Sequence, residues 1–501
     1  MSAYDVVVIG AGSGGLTAAK TAARFGAKVL LVEKLPRLGG DCTWFGCVPS
    51  KALIRCARAV SEAKNGSRFG VAGVDPNAVS CNWPAVKQHI KNCQELIYKQ
   101  DDSPEVLRAL GIEVSLGLSA SFTEKGKDIL LLHDGDRLAD YVTSRFFIIC
   151  TGAGPATPPI RGLEAVPYLT YETIFDLDVL PASLAVVGGG PIGSELAQAF
   201  ARFGVKVTIV GSLLPREDEE VRQVMRRAFE SDGITLTTGR AESVELQAGG
   251  RGVLLKLSGG QTVVCDRLLV AAGRKAKGLE ALQLDKAGVK WSASGIEVNK
   301  SSLRTSAKHI YAAGDCLGGL QFTHLAGYQA AVAAFNCVQA VGTKAPSPEA
   351  VPRCTFTHPE VASVGMSLEE AQAKLGFDNV TVSVRHLNHV DRAVCEGDTD
   401  GFIKIISGSG GRILGATVVA NVAGEIASEL GLAVSAKLTM STVASCMHAY
   451  PTMCFALQQI AADHTYGALE NNFALKCLRR CFGPRLLGRD DKGSSSSEDT
   501  S

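Results

Sequence analysis

The sequence lacks a surplus of charge of either sign. Its 501 residues include 51 lysines and arginines against 50 aspartates and glutamates, a formal net charge of +1. Proteins that bind nucleic acid or anionic membrane surfaces usually carry a clear basic excess. We therefore expect no nucleic-acid partner, and the balance favours an enzyme that acts on small diffusing molecules.

Long apolar runs are also missing. No apolar segment reaches the roughly 18 residues that predict a membrane-spanning helix, so we expect no membrane span. The N-terminus leads directly into a buried-strand pattern rather than a secretory signal. We therefore expect the 15 cysteines to lie in a reducing intracellular compartment, such as the cytoplasm, where most thiols stay free.

Glycine is abundant, with 54 residues, and two glycine-rich turns belong to an internal repeat. Each copy is a short apolar run, a GxGxxG turn, a helical stretch and a second apolar run; the turns are Gly10–Gly15 and Gly188–Gly193. In such βαβ units the glycines make the turn, admit a pyrophosphate and let helix and strand pack closely. The repeat therefore predicts two dinucleotide sites, each at a helix N-terminus.

The two copies differ at the end of their second strand. The first copy has Glu33 there, and the second has Gly211. An acid in this position accepts hydrogen bonds from ribose hydroxyls and repels a 2′-phosphate. The first copy thus predicts the FAD site, and the second predicts the nicotinamide site, with a preference for NADPH over NADH. Arg216 is either a partner for the extra phosphate or an ordinary exposed arginine.

A cysteine pair, Cys42 and Cys47, lies in the segment GGDCTWFGCVPSK. Pro49 favours the first turn of a helix, and a helix N-terminus lowers the pKa of a nearby thiol. Four intervening residues permit a local disulfide. The alternatives are two structural cysteines or half of a metal site, but metal sites usually have closer spacing and a second ligand pair. With two dinucleotide folds, the sequence favours a redox pair.

The sequence resembles the pyridine nucleotide-disulfide oxidoreductases, flavoproteins that include dihydrolipoyl dehydrogenase, glutathione reductase and mercuric reductase. Its most specific motif is GGDCxxxxGCVPSK. The resemblance implies an α/β protein with two Rossmann-like dinucleotide-binding domains and an α+β C-terminal dimerisation domain, and hence a homodimer. The predicted boundaries are 1–152 and 276–348 for the two parts of the FAD-binding domain, 153–275 for the NAD(P)H-binding domain, 349–470 for the dimerisation domain and 471–501 for a flexible tail.

The resemblance also implies roles for individual residues. Cys47 is expected to face the flavin as the charge-transfer thiol, and Cys42 to meet the substrate as the interchange thiol. Lys51 and Glu195 are expected to form an ion pair beside the isoalloxazine, and Asp315 to bind the ribityl chain. The further predicted cofactor contacts are Gly10, Gly12, Ser13, Gly14, Gly15, Gly40, Thr43, Thr151, Gly152, Gly188, Gly190, Ile192, Gly193 and Gly273, with Ala153 along the flavin cleft, Phe322–His324 continuing it and Phe356–Glu360 opening the dimerisation domain.

One motif departs from the family pattern. Disulfide reductases carry His-x-His-Pro-Thr followed by a glutamate, and the second histidine is the base for dithiol substrates. Here Tyr450 stands in place of that base and Phe455 in place of the acid. A tyrosine with a pKa near 10 is a poor base at neutral pH but a fair hydrogen-bond donor. Lipoamide and glutathione reduction are therefore disfavoured, and Tyr450 is expected to assist catalysis by hydrogen bonding or weak ligation. His448 either substitutes for the base or packs structurally.

The C-terminal end holds a second cysteine pair, Cys477 and Cys481. These two are either soft-metal ligands or unpaired thiols, and no other metal site is predicted. We expect electrons to pass from NAD(P)H through FAD to the Cys42–Cys47 disulfide and on to a metal ion such as Hg(II) or another small oxidant. The alternatives are a dihydrolipoyl dehydrogenase-like or glutathione reductase-like enzyme, and a non-catalytic flavin-bound redox sensor.

Overall fold

The structure is a computed structural model, which describes residues 2–133, 137–247, 249, 252–339, 350–471 and 476–477. Contacts divide the chain into two compact units. The first comprises Met1–Pro348 and Arg353–Glu360, and the second comprises Glu349–Pro352 and Val361–Ser501. The predicted FAD and NAD(P)H boundaries fall inside the first unit and stay predictions. Most of the predicted tail lies outside the described residues.

The helices that bear on the site begin at glycine turns or at the cysteine segment. In chain order the α-helices are α1 (Ser13–Arg24), α2 (Gly40–Trp44), α3 (Cys47–Asn65), α4 (Trp83–Ile97), α5 (Pro104–Ala109), α6 (Pro191–Arg202), α7 (Glu219–Ser231), α8 (Thr323–Val338), α9 (Leu368–Leu375), α10 (Asp391–Glu396), α11 (Ala423–Ser435), α12 (Met440–Ser445) and α13 (Phe455–Asn471).

The strands alternate with these helices. In chain order they are β1 (Ser2–Ile9), β2 (Val29–Glu33), β3 (Ile112–Leu116), β4 (Ser119–Phe122), β5 (Asp128–His133), β6 (Arg137–Ile149), β7 (Ala153–Pro155), β8 (Tyr168–Leu169), β9 (Ser183–Gly189), β10 (Lys206–Leu213), β11 (Thr235–Thr237), β12 (Ala241–Leu246), β13 (Val253–Leu257), β14 (Thr262–Cys265), β15 (Arg267–Val270), β16 (Arg274–Ala276), β17 (Trp291–Ser292), β18 (Gly295–Ile296), β19 (Ile310–Ala312), β20 (Arg353–Thr355), β21 (Glu360–Gly365), β22 (Thr381–His386), β23 (Phe402–Ser407) and β24 (Ile413–Ala420).

The first repeat forms the centre of a seven-stranded sheet of order β3-β2-β1-β6-β5-β4, with β19 also paired to β6. The β1, β2, β3 and β19 pairings are parallel, and β4, β5 and β6 pair antiparallel. Val6, Val7 and Val8 are fully buried, as expected for a parallel strand covered on both faces. The carboxyl ends of β1 and β2 therefore place the first glycine turn and Glu33 at one edge.

The second repeat forms a separate five-stranded sheet of order β11-β10-β9-β15-β8, in which the pairings are parallel. A three-stranded antiparallel sheet, β12-β13-β14, lies in the chain between β11 and β15. β15 pairs with β9, so the segment that ends at Val270 does belong to the second dinucleotide fold. The register shifts between Val210 and Leu213, which places Gly211 in an irregularity of β10.

The second unit contains an antiparallel arrangement of β22, β23 and β24, with α11 packed on β24. Every residue of β23 and β24 is buried. The predicted α/β class, with two Rossmann-like folds and an α+β C-terminal domain, is confirmed. Contacts nevertheless group Arg353–Glu360 with the first unit, and there the Phe356 N–H donates to Glu195 and the His358 N–H to the Gln198 Oε1. Within the described residues, no helix combines the length and apolar character required to cross a membrane.

Candidate active site

The first glycine turn joins β1 to α1. Gly10 has φ +95°, and a Cβ on it would lie 2.5 Å from the Cys150 carbonyl oxygen. A Cβ on Gly15 would overlap the Gly10 carbonyl oxygen. Only glycine fits either position, and the N-cap of α1 is Gly12, which has no side chain to accept from the first-turn amides. This arrangement leaves backbone donors at the helix N-terminus for a phosphate group.

The second glycine turn repeats this geometry between β9 and α6. Gly188 has φ +109°, with the Ala271 carbonyl oxygen 2.5 Å from its would-be Cβ, and a Cβ on Gly193 would overlap the Gly188 carbonyl oxygen. The space around Gly190, the α6 N-cap, is open. Ile192 lies in the first turn of α6. The repeat is thus structural as well as sequential, and it provides two equivalent helix N-termini whose backbone donors suit a phosphate group.

Glu33 lies at the carboxyl end of β2 and is buried. Its carboxylate accepts hydrogen bonds from the Ala11 N–H at 2.7 Å and the Leu35 N–H at 2.9 Å. These bonds fix the carboxylate beside the first glycine turn. Each oxygen still has a lone pair for a further donor, so Glu33 can hold the turn and accept from ribose hydroxyls.

The two cysteines occupy successive helices. Cys42 lies in α2, and Cys47 begins α3 after the N-cap Gly46. Both thiols are free. The Cys47 Sγ lies 3.1 Å from the Thr323 Oγ1 at the start of α8. The prediction that the pair lies at a helix N-terminus is therefore met most directly by Cys47.

The two thiols differ in acidity because they share one hydrogen bond. The hydrogen bond from Cys42 lowers the pKa of Cys47 to about 6, and Thr323 and the Lys51 charge act in the same direction, while burial opposes them. The hydrogen bond to Cys47 and burial raise the pKa of Cys42. The reduced pair therefore holds its proton on Cys42 and its negative charge on Cys47.

Lys51 and Glu195 meet although they are far apart in the sequence. α3 packs against α6, and the Lys51 Nζ lies 2.8 Å from the Glu195 Oε2. Glu195 is buried, and its Oε1 accepts a hydrogen bond from the Phe356 N–H at 2.9 Å. This ion pair lies one helical turn beyond Cys47.

Arg274, which the sequence analysis did not single out, binds two carboxylates. Its Nη2 lies 2.6 Å from the Asp41 Oδ2 and its Nη1 lies 2.8 Å from the Asp315 Oδ2. Asp315, predicted to bind the ribityl chain, thus has a protein partner already. Because each position is unremarkable in its own segment, only the tertiary fold reveals this contact.

Several features of the first unit fit FAD. A Cβ on Gly40 would lie 2.5 Å from the Gly12 Cα, so only glycine lets this backbone approach the first glycine turn, whose amides suit a pyrophosphate. Among the described residues, the buried Thr151 Oγ1 and Asp41 Oδ1 have no hydrogen-bond partner. Such orphaned groups are costly unless a ligand satisfies them. The residues present therefore suit a polar, phosphate-bearing cofactor.

The remaining predicted contacts follow strands of both sheets or lie in α1 and α2. Gly152 and Gly273 have positive φ angles and follow β6 and β15 respectively. Thr43 is buried and donates to the Asp102 Oδ2 at 3.0 Å, so its hydroxyl hydrogen is already used within the protein and its oxygen can act toward a cofactor only as an acceptor. Ser13 and Gly14 open α1, and the Ser13 hydroxyl is a hydrogen-bond partner of Cys42.

In the second unit, Tyr450 and His448 have separate acidic partners. The Tyr450 Oη donates to the Asp391 Oδ2 at 2.8 Å, and this bond raises the pKa of the tyrosine further. The His448 Nε2 lies 2.7 Å from the Glu429 Oε1. Asp391 and Glu429 could not be identified from the sequence, because neither lies in the motif that contains Tyr450. His448 is thus held by Glu429 at one ring nitrogen and by the Cys446 carbonyl oxygen, 3.0 Å from its Nδ1, at the other.

The predicted C-terminal metal ligands are only partly described. Cys477 is exposed, whereas Cys481 lies outside the described residues. Within the described part of the chain, no group of three or more His, Cys, Asp or Glu side chains is arranged to hold a metal ion.

Comparisons with known proteins agree with this geometry. The family described as pyridine nucleotide-disulphide oxidoreductase matches residues 4–330, and its dimerisation domain matches residues 351–461. A dihydrolipoyl dehydrogenase from Chlorobaculum tepidum is 34% identical over 471 residues, covering 92% of this chain and 97% of the relative. A mercuric reductase from Streptomyces lividans is 34% identical over 472 residues, with coverages of 92% and 96%.

Solved structures show the same similarity. The Cu(II) complex of the HOCl-induced flavoprotein disulfide reductase RclA from Escherichia coli superposes with a TM-score of 0.80 at 26% identity, covering 92% of this chain and 99% of that one. LpdA from Mycobacterium tuberculosis superposes with a TM-score of 0.82 at 26% identity and the same coverages. The chain therefore belongs to the pyridine nucleotide-disulphide oxidoreductases, the FAD-dependent NAD(P)H enzymes with a redox-active disulfide centre and a dimerisation domain.

Proposed function

We propose that this enzyme delivers electrons from NADPH, through the Cys42–Cys47 pair, to a soft metal ion or another small oxidant. The observation that carries the proposal is Tyr450, whose hydroxyl is bound to Asp391 where dithiol enzymes of the family place an imidazole base. A dithiol substrate must lose a proton as it attacks the disulfide, whereas a metal ion needs only ligands and electrons. The mercuric reductase relative and the Cu(II) complex of RclA support this acceptor class.

The cysteine pair balances the reaction. Two electrons and one proton convert the disulfide into a Cys42 thiol and a Cys47 thiolate, which is the state that the hydrogen bond between them stabilises. Two electrons from the pair then reduce Hg(II) to the metal, the disulfide reforms and the proton is released. FAD, when bound, supplies the two-electron step between the nicotinamide and the pair. Lys51 favours the thiolate electrostatically, and Thr323 orients it.

The dihydrolipoyl dehydrogenase-like reaction is the second candidate, because that relative is as similar to the chain as the mercuric reductase. The surroundings of His448 in the second unit favour the first candidate reaction over the second. Both ring nitrogens of His448 have protein partners, Nε2 with Glu429 at 2.7 Å and Nδ1 with the Cys446 carbonyl oxygen at 3.0 Å, so neither nitrogen is free to take a proton from an incoming substrate. We further propose a homodimer built by the second unit, in a reducing intracellular compartment.

An acceptor panel tests the proposal. Purified holoenzyme should oxidise NADPH rapidly with thiol-buffered Hg(II) or a small quinone. It should reduce NAD⁺ with dihydrolipoamide, and oxidise NADPH with glutathione disulfide, at least about 100-fold more slowly, since general base help is worth roughly 10²–10⁴-fold. A Cys42→Ser variant, which cannot form the disulfide, is the control for each acceptor. Fast dihydrolipoamide oxidation by the unaltered enzyme contradicts the proposal and favours the second candidate.

The nicotinamide preference is tested at Gly211. Its φ of +111° strains any other residue, although space around it is open, so a Gly211→Ala variant measures the strain alone. Relative to Gly211→Ala, a Gly211→Glu variant should lower kcat/KM for NADPH about tenfold more than for NADH, because one charge pair near 4 Å is worth roughly 1–4 kcal/mol. Equal losses for the two nucleotides rule out a position facing the 2′ group.

A further inference from the structure

The strongest unassigned feature is the cluster around Arg274, at the start of β16. The guanidinium donates to Asp41 at 2.6 Å, to Asp315 at 2.8 Å and, through Nε, to the Tyr171 Oη at 3.2 Å. The Arg274 and Asp315 side chains are 16% and 14% exposed. One planar fork therefore joins segments that the sequence separates by more than 200 residues.

The two carboxylates belong to the two segments that the reaction requires, the cysteine segment and the predicted flavin-binding turn. Asp41 immediately precedes Cys42 in α2, and Asp315 follows β19, where the family binds the ribityl chain. Arg274 is thus the link between the segment of the interchange thiol and the turn that receives the flavin. A guanidinium can make both contacts at once with fixed geometry, which a lysine ammonium cannot reproduce.

The charges in this cluster are finely balanced, because two buried carboxylates depend on the same guanidinium. Burial raises the pKa of both Asp41 and Asp315, and the Arg274 charge opposes that rise. Arg274 contacts both carboxylates, whereas Lys277, whose charge also lowers the pKa of Asp41, is paired with Glu172 at 2.9 Å. A buried carboxylate that loses its partner is strongly destabilised. A shift of either aspartate therefore changes how well Arg274 can hold the other.

We propose that Arg274 is a positioning residue that couples flavin binding at Asp315 to the placement of Cys42 through Asp41. The proposal rests on the proposed function, because it takes Asp315 as a flavin contact and Cys42 as the interchange thiol. Flavin binding that fixes Asp315 fixes the guanidinium, and the guanidinium in turn fixes the α2 segment. Through this coupling the thiol is presented to the acceptor only when the cofactor turn is in place.

A double-mutant cycle tests the coupling. FAD affinity is measured by titrating FAD into the reversibly prepared flavin-free form of four proteins: unaltered, Asp41→Asn, Arg274→Met and the double variant. Asp41→Asn should weaken FAD binding by about 5–150-fold, the usual range of coupling between sites, in the Arg274 background and by less than about twofold in the Arg274→Met background. Equal losses in both backgrounds show that the effect of Asp41 on FAD does not pass through Arg274, and they overturn the proposal.

A second readout follows Cys42 itself. In the NADPH-reduced enzymes, the rate of Cys42 alkylation by iodoacetamide, read by mass spectrometry, should change at least about fivefold in Arg274→Met and in Arg274→Lys. Arg202→Met is the matched control, because the Arg202–Asp232 pair is equally buried, at 10% and 16% exposure. If Arg202→Met alters the Cys42 rate and FAD affinity as strongly, the effect is general loss of stability and the proposal is overturned. Arg274→Lys, which keeps the charge, covers the case in which Arg274→Met does not fold.

Loss of the proposed function and loss of the Arg274 role give different results. If the unaltered protein releases no FAD on heating, the proposed function itself fails. If it holds FAD and reduces the cysteine pair, but the cycle shows no coupling and the Arg274 variants alkylate at the unaltered rate, only the role of Arg274 fails.

Discussion

A Cys47→Ser variant should lose the thiolate-to-flavin charge-transfer absorbance of the two-electron-reduced enzyme and lower acceptor turnover by about 10³-fold or more, as expected when a covalent participant is removed. Cys42→Ser should lower turnover similarly, but should keep a stable charge-transfer band, because the Cys47 thiolate survives. Anaerobic reduction followed by spectroscopy provides the measurement. An unchanged spectrum in both variants contradicts a redox role for the pair.

The same band should report the acidity of Cys47. Because its pKa is lowered to about 6, the thiolate is fully present well above that pH, and the band should fade as the pH falls through about 6. Lys51→Met and Thr323→Val each remove one stabilising partner and should move the midpoint upward. Arg58→Met is the control on the same helix, since Arg58 is paired with Glu62 and lies roughly 16 Å further along. If the pH midpoint is unchanged in Lys51→Met and Thr323→Val but shifts in Arg58→Met, the electrostatic explanation is wrong.

The double change Tyr450→His with Phe455→Glu should raise dihydrolipoamide oxidation by about 10²–10⁴-fold. The structure supports the design, because the two aromatic rings lie with their centroids 5.3 Å apart, so an imidazole and a carboxylate at these positions can reach each other. A carboxylate at Phe455 also lies in the first turn of α13, where the helix dipole favours it. Steady-state assays with NAD⁺ and dihydrolipoamide measure the gain.

Two single variants serve as controls for this change. Tyr450→Phe removes the hydroxyl that binds Asp391 without adding a base, so it should leave dithiol activity low. Phe455→Glu alone adds an acid with no imidazole to orient, and should do the same. If Tyr450→Phe raises dithiol turnover as much as the double variant, relief of the Asp391 contact rather than a new base explains the gain.

The sequence predicts those parts of the site that depend on local structure. Gly10 and Gly188 could be identified because a turn with a positive φ angle requires glycine at that position. Cys47 could be identified because the sequence after it predicts the start of a helix. Lys51 and Glu195 could be paired only through the family resemblance, since nothing in either helix indicates that α3 and α6 pack together. Arg274 and Glu429 were missed for the same reason. Their partners lie in distant segments, and a charged side chain looks the same whether it is solvated or buried in a network.

The pairing of β19 with β6 has a consequence for synthesis on the ribosome. Ile310–Ala312 complete the first sheet by pairing with Phe147–Ile149, but the whole second sheet is encoded between these strands. At about 5–20 residues per second, roughly 10–30 s pass before β19 can follow β6 out of the ribosome. During that time one edge of Phe147–Ile149 has no native partner, and an unpaired apolar edge favours wrong associations. The nascent chain therefore needs protection of this edge, by a chaperone or by transient contacts of its own, while its second nucleotide fold is still being made.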